Sequence, residues 1–215
     1  MSVIDHNHPK YVKKWGNGTV KHNGAYYYSR EIVKYIIPNV ETNRNWVTIL
    51  LEGECMDNSI VFIHNNLHPE RYEWMKRYKN LILVCGVPET VDKVKHIGTA
   101  IYLPLSVKVD EVEKYKVAEH DKEACVAGRK SKIRNALPPE SCDLLGTMPR
   151  KELLQKMAHY KRVYAVGRTA IEAKILGCEV LPYDPRFPDP SIWKIVDSLE
   201  AAKMLQEKID EIDGK

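Results

Sequence analysis

Residues 162–183 read RVYAVGRTAIEAKILGCEVLPY, and this stretch predicts the fold class of the chain. The apolar run RVYAVG has the length of a buried strand and ends at Gly167, where the chain can turn sharply. We expect Thr169 to cap a helix that continues to Leu176 and that Gly177 terminates. A second apolar run, EVLPY, follows. Strand, helix and strand in this order are typical of a β-α-β unit with parallel strands.

The same alternation extends over most of the chain. Short apolar runs recur, and most lack the polar alternate residues of a half-exposed strand, which indicates strands buried on both faces. Segments with helical spacing lie between many of them, and this alternation predicts an α/β fold with parallel sheets. No apolar first strand is evident in residues 1–15. The predicted strands are 46–51, 59–64, 81–87, 100–105, 123–128, 142–146, 162–167 and 179–183, and the predicted helices are 26–37, 68–78, 88–95, 149–160 and 169–176.

The most charged and least apolar stretch, residues 107–123, is the best candidate for a linker between two halves. We therefore predict two Rossmann-like parallel-sheet lobes, residues 1–115 and 116–215, with a cleft between them. From residue 190 onward, apolar side chains recur at spacings of three and four, which predicts one long amphipathic C-terminal helix. Its apolar positions are Ile192, Ile195, Leu199, Ala202, Leu205 and Ile209.

The composition is that of an ordinary globular protein, since 44% of the 215 residues are hydrophobic and 29% are charged. A net charge of +4 permits anionic ligands but does not by itself indicate nucleic-acid binding. The five cysteines form no CxxC pair, which favours a reducing compartment. No apolar stretch approaches the roughly 18 residues of a membrane span. These features predict a soluble, cytoplasmic protein without a membrane span.

Two features of the second half suit a phosphate group. The helix after Gly167 would present unpaired N–H groups and the positive end of its dipole, and Arg168 would add a charge. Glu172 would either close a capping box or accept hydrogen bonds from ribose hydroxyls. In GRKSK, Arg129, Lys130 and Lys132 follow the predicted strand 123–128, where a diphosphate could bind, although a solvated basic loop is the alternative.

The order GRKSK, LGTMPRKELLQKMAHY and YAVGRTAIEAKILGCEVL resembles the C-terminal lobe of GT-B glycosyltransferases of the glycogen-synthase-like group, glycosyltransferase family 4. In that family a strand ending in Gly-Arg is followed by a strand ending in Leu-Gly, a helix with Glu-Leu and a helix with Glu-Ala before Gly-x-x-Val. The matching residues here are Gly128 and Arg129, Leu145 and Gly146, Glu152 and Leu153, Glu172 and Ala173, and Gly177 and Val180.

The resemblance implies a function for several of these residues. Arg129 and Lys132 would neutralise the diphosphate of a sugar nucleotide, N–H groups after Gly167 would hold its distal phosphate, and Glu172 would bind the ribose. Thr169 and Arg168 belong to the same turn. Fixed cations and a helix dipole would stabilise the departing nucleoside diphosphate, so that no metal is obligatory.

The sequence departs from the family at two places. The family has a first glutamate eight positions before the second, and Tyr164 stands there. In retaining members that carboxylate helps to hold the donor sugar, so Tyr164 favours donor binding over catalysis. The interval from Arg129 to the lysine is also short, so Lys130 competes with Lys132 for the assignment.

The N-terminal half resembles the family less closely. Gly16 and Gly18 resemble the glycine-bearing loop that faces the donor phosphates, but a flexible turn explains them equally well. His64, at the end of a predicted strand, occupies a place where family members often carry a histidine near the reacting sugar; a structural histidine is the alternative. His6, His8 and His68 lack partners at metal-site spacing, so that no metal site is predicted.

The sequence therefore favours a compact glycosyltransferase that transfers a sugar from a nucleotide-sugar donor to an unidentified acceptor. A GT-B-like protein that binds a nucleotide or nucleotide sugar without transferring it is the first alternative. A nucleic-acid-associated protein is the least favoured one. The sequence leaves open the nucleotide base, the sugar and whether the protein forms a homo-oligomer.

Overall fold

The structure, a computed structural model, describes residues 1–5, 24–48, 54–63, 68–127, 141–146, 148–182 and 186–214. These residues form two parallel sheets with helices between the strands, so the predicted α/β class is confirmed. Each of the eight predicted strands has a counterpart in the sheets. None of the described helices combines the length and apolar character that crossing a bilayer requires.

The first sheet has five parallel strands, and their spatial order follows the sequence. They are β1 (Val3–Ile4), β2 (Asn45–Val47), β3 (Ser59–Ile63), β4 (Ile82–Cys85) and β5 (Thr99–Tyr102). Helix α1 (Gly24–Glu31) continues into a π-helical turn (Ile32–Ile36) and a 3₁₀ turn (Ile37–Asn39). A 3₁₀ helix (Pro69–Arg77) follows β3, and α2 (Pro88–Val94) follows β4.

Both faces of the first sheet are covered, as the continuous apolar runs predict. On one face, Val61 and Leu83 pack in a core cluster with Tyr72 and Met75 of the 3₁₀ helix. On the other face, the Phe62 ring lies 6.1 Å from that of Tyr28 in α1 and stacks on Trp46 at 6.3 Å.

The second sheet has four parallel strands in the order β7-β6-β8-β9. They are β6 (Lys122–Ala127), β7 (Asp143–Leu145), β8 (Tyr160–Tyr164) and β9 (Glu179–Leu181). Helix α3 (Val109–Glu113) precedes the sheet, α4 (Arg150–Met157) lies between β7 and β8, and α5 (Arg168–Ile175) lies between β8 and β9. The chain therefore leaves β6 in one direction and returns past it to β8.

The chain divides into two compact units. The first consists of Met1–Lys21, Ala25–Pro104 and Ser198–Lys215, and the second of His22–Gly24 and Leu105–Asp197. These ranges differ from the predicted lobes, 1–115 and 116–215. The predicted linker, 107–123, lies in the second unit, where it includes α3 and the fully buried side chains of Val107 and Val112.

The C-terminal helix, α6 (Ser198–Asp213), begins eight residues later than its apolar pattern predicts. A 3₁₀ turn (Pro190–Ile192) comes first, and Asp197 then pairs with Val107 in a parallel bridge. Oδ2 of Asp197 accepts hydrogen bonds from the Val109 N–H, at 3.0 Å, and from Lys108 Nζ, at 3.2 Å. These contacts hold the chain before Ser198 in a non-helical conformation, so the predicted helical positions of Ile192 and Ile195 were wrong.

The first strand was also missed by the sequence. Val3 pairs with Trp46 and Ile4 with Val47, which makes β1 a parallel edge strand of the first sheet. The prediction failed because two residues are too few to produce a recognisable strand pattern.

Candidate functional site

The strand order of the second sheet marks one place for a ligand. In an open parallel sheet, ligands bind beyond the carboxyl ends of the strands where the strand order reverses, because the connections there diverge. That reversal lies between β6, which ends at Ala127, and β8, which ends at Tyr164. The described strands of the first sheet follow one another without a reversal. The candidate site is therefore the carboxyl edge of β6 and β8, in the second unit.

The turn after β8 depends on a glycine. Gly167 has φ 61° and ψ −138°, a combination that side-chain-bearing residues rarely adopt, and it is the N-cap of α5. A Cβ atom there would lie 3.7 Å from Leu105 Cδ1, which is an ordinary contact. Glycine is therefore required by the backbone conformation and not by lack of space.

The predicted cap of this helix was wrong. Helix α5 begins at Arg168, which places Thr169 in its first turn and not at its N-cap. No side chain among the described residues caps the helix, so Glu172 does not close a capping box. The first N–H groups of any α-helix lack an intrahelical acceptor, and here they point toward the carboxyl edge of the sheet. Of the features that the sequence suggested for a phosphate, this turn keeps the unpaired N–H groups and the positive end of the helix dipole.

Three charged side chains meet beside this turn. Glu172 Oε1 accepts a hydrogen bond from Arg150 Nε at 2.9 Å and another from Arg168 Nη2 at 3.2 Å. The exposed fractions of the side chains are 5% for Glu172, 4% for Arg168 and 14% for Arg150. We call Arg150, Arg168 and Glu172 the arginine–glutamate cluster. It joins the first residue of α4 to the first turns of α5 and places two guanidinium groups close together.

Arg150 is the residue that the sequence did not reveal. It lies 22 positions before Glu172 and follows Pro149 at the start of α4. Proline in the turn before a helix is a common start signal, so PRKEL did locate the start of α4. No sequence pattern indicated the contact between Arg150 and Glu172, because sequence spacing does not show that two helix starts share one edge of a sheet.

Tyr164 is the last residue of β8 and is buried. It packs in a small core cluster with Ala124 and Val126 of the neighbouring strand β6. A buried aromatic side chain therefore occupies the carboxyl end of β8.

Lys174, farther along α5, has a structural role. Its Nζ donates to the carbonyl oxygens of Pro190, at 2.7 Å, and Trp193, at 2.8 Å. Burial lowers the pKa of this ammonium group below its ordinary value. These bonds fasten the 3₁₀ turn at residues 190–192 to the helix that forms the candidate site.

Several predicted site residues lie outside the described part of the chain. They are Gly16, Gly18, His64, Arg129 and Lys132. In the sequence, His64 comes directly after β3, and Arg129 and Lys132 follow β6, one of the two strands at the order reversal. Of the predicted site residues, the structure brings together Gly167, Arg168, Thr169 and Glu172 on one turn and the helix that follows it.

Comparisons with known proteins returned no relative. No protein-family model, no curated protein and no solved structure matches the chain. Within the described ranges, no group of three or more His, Cys, Asp or Glu side chains is arranged to hold a metal ion.

Proposed function

We propose that the second unit binds a nucleoside diphosphate at the carboxyl edge of β6 and β8, and that the protein is a nucleotide-sugar-dependent glycosyltransferase of GT-B architecture. The observation that carries the proposal is a coincidence of position. The reversal in strand order, the glycine turn at Gly167 and the start of α5 all fall at one edge. A reversal in strand order favours a ligand site, and the start of a helix after a glycine turn favours an anionic ligand.

The proposed donor site draws on both sides of the order reversal. From β8, the N–H groups that follow Gly167 would bind the distal phosphate, with Arg168 adding positive charge nearby. From β6, Arg129 and Lys132 would contact the diphosphate as the resemblance implies, with Lys130 as the competing lysine. The resemblance implies that Glu172 binds the ribose, and in the structure its carboxylate accepts hydrogen bonds from two guanidinium groups.

The proposed chemistry is stabilisation of a leaving group. As the bond between the sugar and the diphosphate breaks, negative charge develops on the departing phosphate, and preorganised cations and N–H dipoles stabilise it. The first unit would supply the acceptor side, with Gly16, Gly18 and His64 as the residues predicted near the reaction. This proposal includes the two-lobe arrangement and a catalytic role for His64, with an unidentified acceptor.

A thermal-shift screen tests the binding part of the proposal. UDP, GDP, ADP, CDP, dTDP and their sugars are added at saturating concentration, because a ligand that binds only the native state stabilises it by mass action. A ligand present at about 100 times its Kd contributes about 2.7 kcal/mol. For a chain of this size that corresponds to a rise in Tm of roughly 5–10 °C. If no nucleotide raises the Tm, the proposed function is wrong.

A second function is favoured by the burial of Tyr164. A protein that binds the nucleotide but does not transfer the sugar would not need the carboxylate that Tyr164 replaces. Turnover separates the two functions. A protein that binds a nucleoside diphosphate, yet neither transfers the sugar nor slowly hydrolyses any of the donors, is a binding protein. Measurable donor hydrolysis that is lost in His64→Ala, with donor affinity unchanged, supports the transferase.

A further inference from the structure

We infer that Glu172 is a positioning residue, and that through the arginine–glutamate cluster it holds Arg150 in place as a cation that contacts the diphosphate. This inference rests on the proposed function, because it assigns residues within the same nucleotide site. It differs from the role that the family resemblance implies, in which Glu172 binds the ribose directly. It also gives a role to Arg150, which the sequence did not single out.

The burial of the three side chains gives them different roles. Arg168 and Glu172, 4% and 5% exposed, form the inner part of the cluster. A carboxylate with so little exposed surface offers little room for a pair of ribose hydroxyls. Arg150 is the outermost of the three, with 14% of its side chain exposed. The residue in the cluster best placed to reach a ligand is therefore Arg150.

The hydrogen bonds show how Glu172 acts on Arg150. Arg168 lies four residues before Glu172 on α5 and donates to Oε1, and this bond restrains the carboxylate. The same oxygen accepts from Arg150 Nε. Because a guanidinium group is planar and rigid, a bond at Nε fixes the orientation of all its donors. A preoriented arginine loses less entropy when it binds a phosphate than a freely rotating one does.

The position of Arg150 suits a diphosphate. It is the first residue of α4, the helix that leads from β7 back to β8, so its backbone belongs to the same edge of the sheet as the Gly167 turn. The bond to Glu172 brings its guanidinium group to the first turns of α5. Arginine binds phosphate oxygens with two parallel hydrogen bonds, which makes it more selective for such groups than lysine.

Inorganic pyrophosphate separates the two roles of Glu172, because it carries the diphosphate but no ribose. Isothermal titration calorimetry measures its Kd, and that of the nucleoside diphosphate that gives the largest thermal shift, for five proteins. They are the unmodified chain, Arg150→Ala, Glu172→Gln, the double variant and Lys151→Ala. Lys151 is the matched control, since it is the next residue on α4, carries the same charge and is exposed.

We expect Arg150→Ala and Glu172→Gln each to raise the Kd of both ligands by about tenfold or more. This is the loss expected for a charge-assisted hydrogen bond. Lys151→Ala should change either Kd by less than about twofold, as an exposed charge does. The double variant should bind no worse than Arg150→Ala alone, because Glu172 acts through Arg150. Circular dichroism checks that each variant is folded. If Arg150→Ala is not folded, Arg150→Lys is measured in its place. It should also raise the Kd, since lysine lacks the Nε donor.

Two results would overturn the inference while the proposed function stands. In the first, Glu172→Gln weakens binding of the nucleoside diphosphate but leaves the Kd of pyrophosphate unchanged, which assigns Glu172 to the ribose. In the second, the unmodified chain binds the nucleoside diphosphate, but Arg150→Ala behaves like Lys151→Ala. If the unmodified chain binds no nucleoside diphosphate at all, the proposed function itself fails and the inference fails with it.

Discussion

Gly167 gives the backbone of the candidate site its turn into α5. Its φ of 61° and ψ of −138° turn the chain from β8 directly into α5. The Gly167→Ala variant should lower the free energy of unfolding by about 1–3 kcal/mol, the cost of holding a side-chain-bearing residue in a sparsely populated conformation. Urea denaturation measures the change.

Gly146→Ala is the matched control for this prediction. Among the residues that the structure describes, no atom lies within 4 Å of a Cβ at Gly146, and the φ of Gly146 is not positive. The control should therefore change the free energy of unfolding by less than about 1 kcal/mol. Equal effects of the two substitutions would show that the Gly167 backbone conformation is not what makes glycine necessary there.

Some residues of the candidate site could be predicted from the sequence and others could not. Gly167 and Arg168 were found because a glycine between a strand and a helix is a local signal. The cluster was not found, since the partners of Glu172 depend on which helix starts share one edge of the sheet. The capping role of Thr169 was predicted wrongly because Gly167 is the N-cap, which places the Thr169 hydroxyl at the second residue of the helix.

The C-terminal helix α6 packs one face into the core of the first unit. Ala201, Ala202, Leu205 and Ile209 are fully buried within the first unit, where α6 packs against the π-helical turn at Ile32–Ile36. Its first residue, Ser198, donates through Oγ to the buried carboxylate of Glu31 at 3.1 Å. A negative charge at this end of a helix is favourable, so Glu31 helps to fix where α6 begins.

Truncation of Leu205 tests this packing. Leu205→Ala should lower the free energy of unfolding by about 2–5 kcal/mol, because it removes buried methyl groups and leaves a cavity. Leu199→Ala on the same helix is the control, since Leu199 is 39% exposed and should lose less than about 1 kcal/mol. Similar losses in chemical denaturation would contradict the burial pattern of α6.

The sequence predicted which segments form strands and helices better than it predicted where those elements begin and end. All eight predicted apolar runs have a counterpart among the strands, because apolar runs of this length are a local signal of strand structure. The start of α6 was missed since Asp197 is held by Val109 and Lys108, which lie far away in the sequence. The strand orders β1-β2-β3-β4-β5 and β7-β6-β8-β9 are tertiary facts that no local pattern contains.

For the whole molecule, buried thiols predict how stability depends on pH. Burial raises the pKa of Cys55 and Cys178 from 9.0 to about 11, and that of Cys85 to about 12. Above pH 9 the unfolded chain therefore loses protons that the native state keeps. The free energy of unfolding should be insensitive to these thiols below pH 9 and should fall between pH 9 and 11, by about 1.4 kcal/mol per pH unit for each thiol.

A single substitution isolates one thiol from the other groups that titrate in this range. The difference in free energy of unfolding between the unmodified chain and Cys85→Ala is measured at pH 7, 9 and 10.5. It should shrink as the pH rises above 9, because the variant lacks the penalty of the Cys85 thiol. A difference that is the same at all three pH values would rule out the proposed contribution of Cys85.

We propose that one edge of the second sheet binds a nucleoside diphosphate. Amide hydrogen exchange with and without the nucleotide chosen by the thermal-shift screen tests this claim directly, because bound N–H groups exchange more slowly. We predict that the largest gain in protection falls on residues 167–170, where Gly167 leads into α5, and is reduced in Arg150→Ala. Protection confined to the first unit, or an unchanged exchange rate at residues 167–170 in the nucleotide-bound protein, would contradict nucleotide binding at this edge.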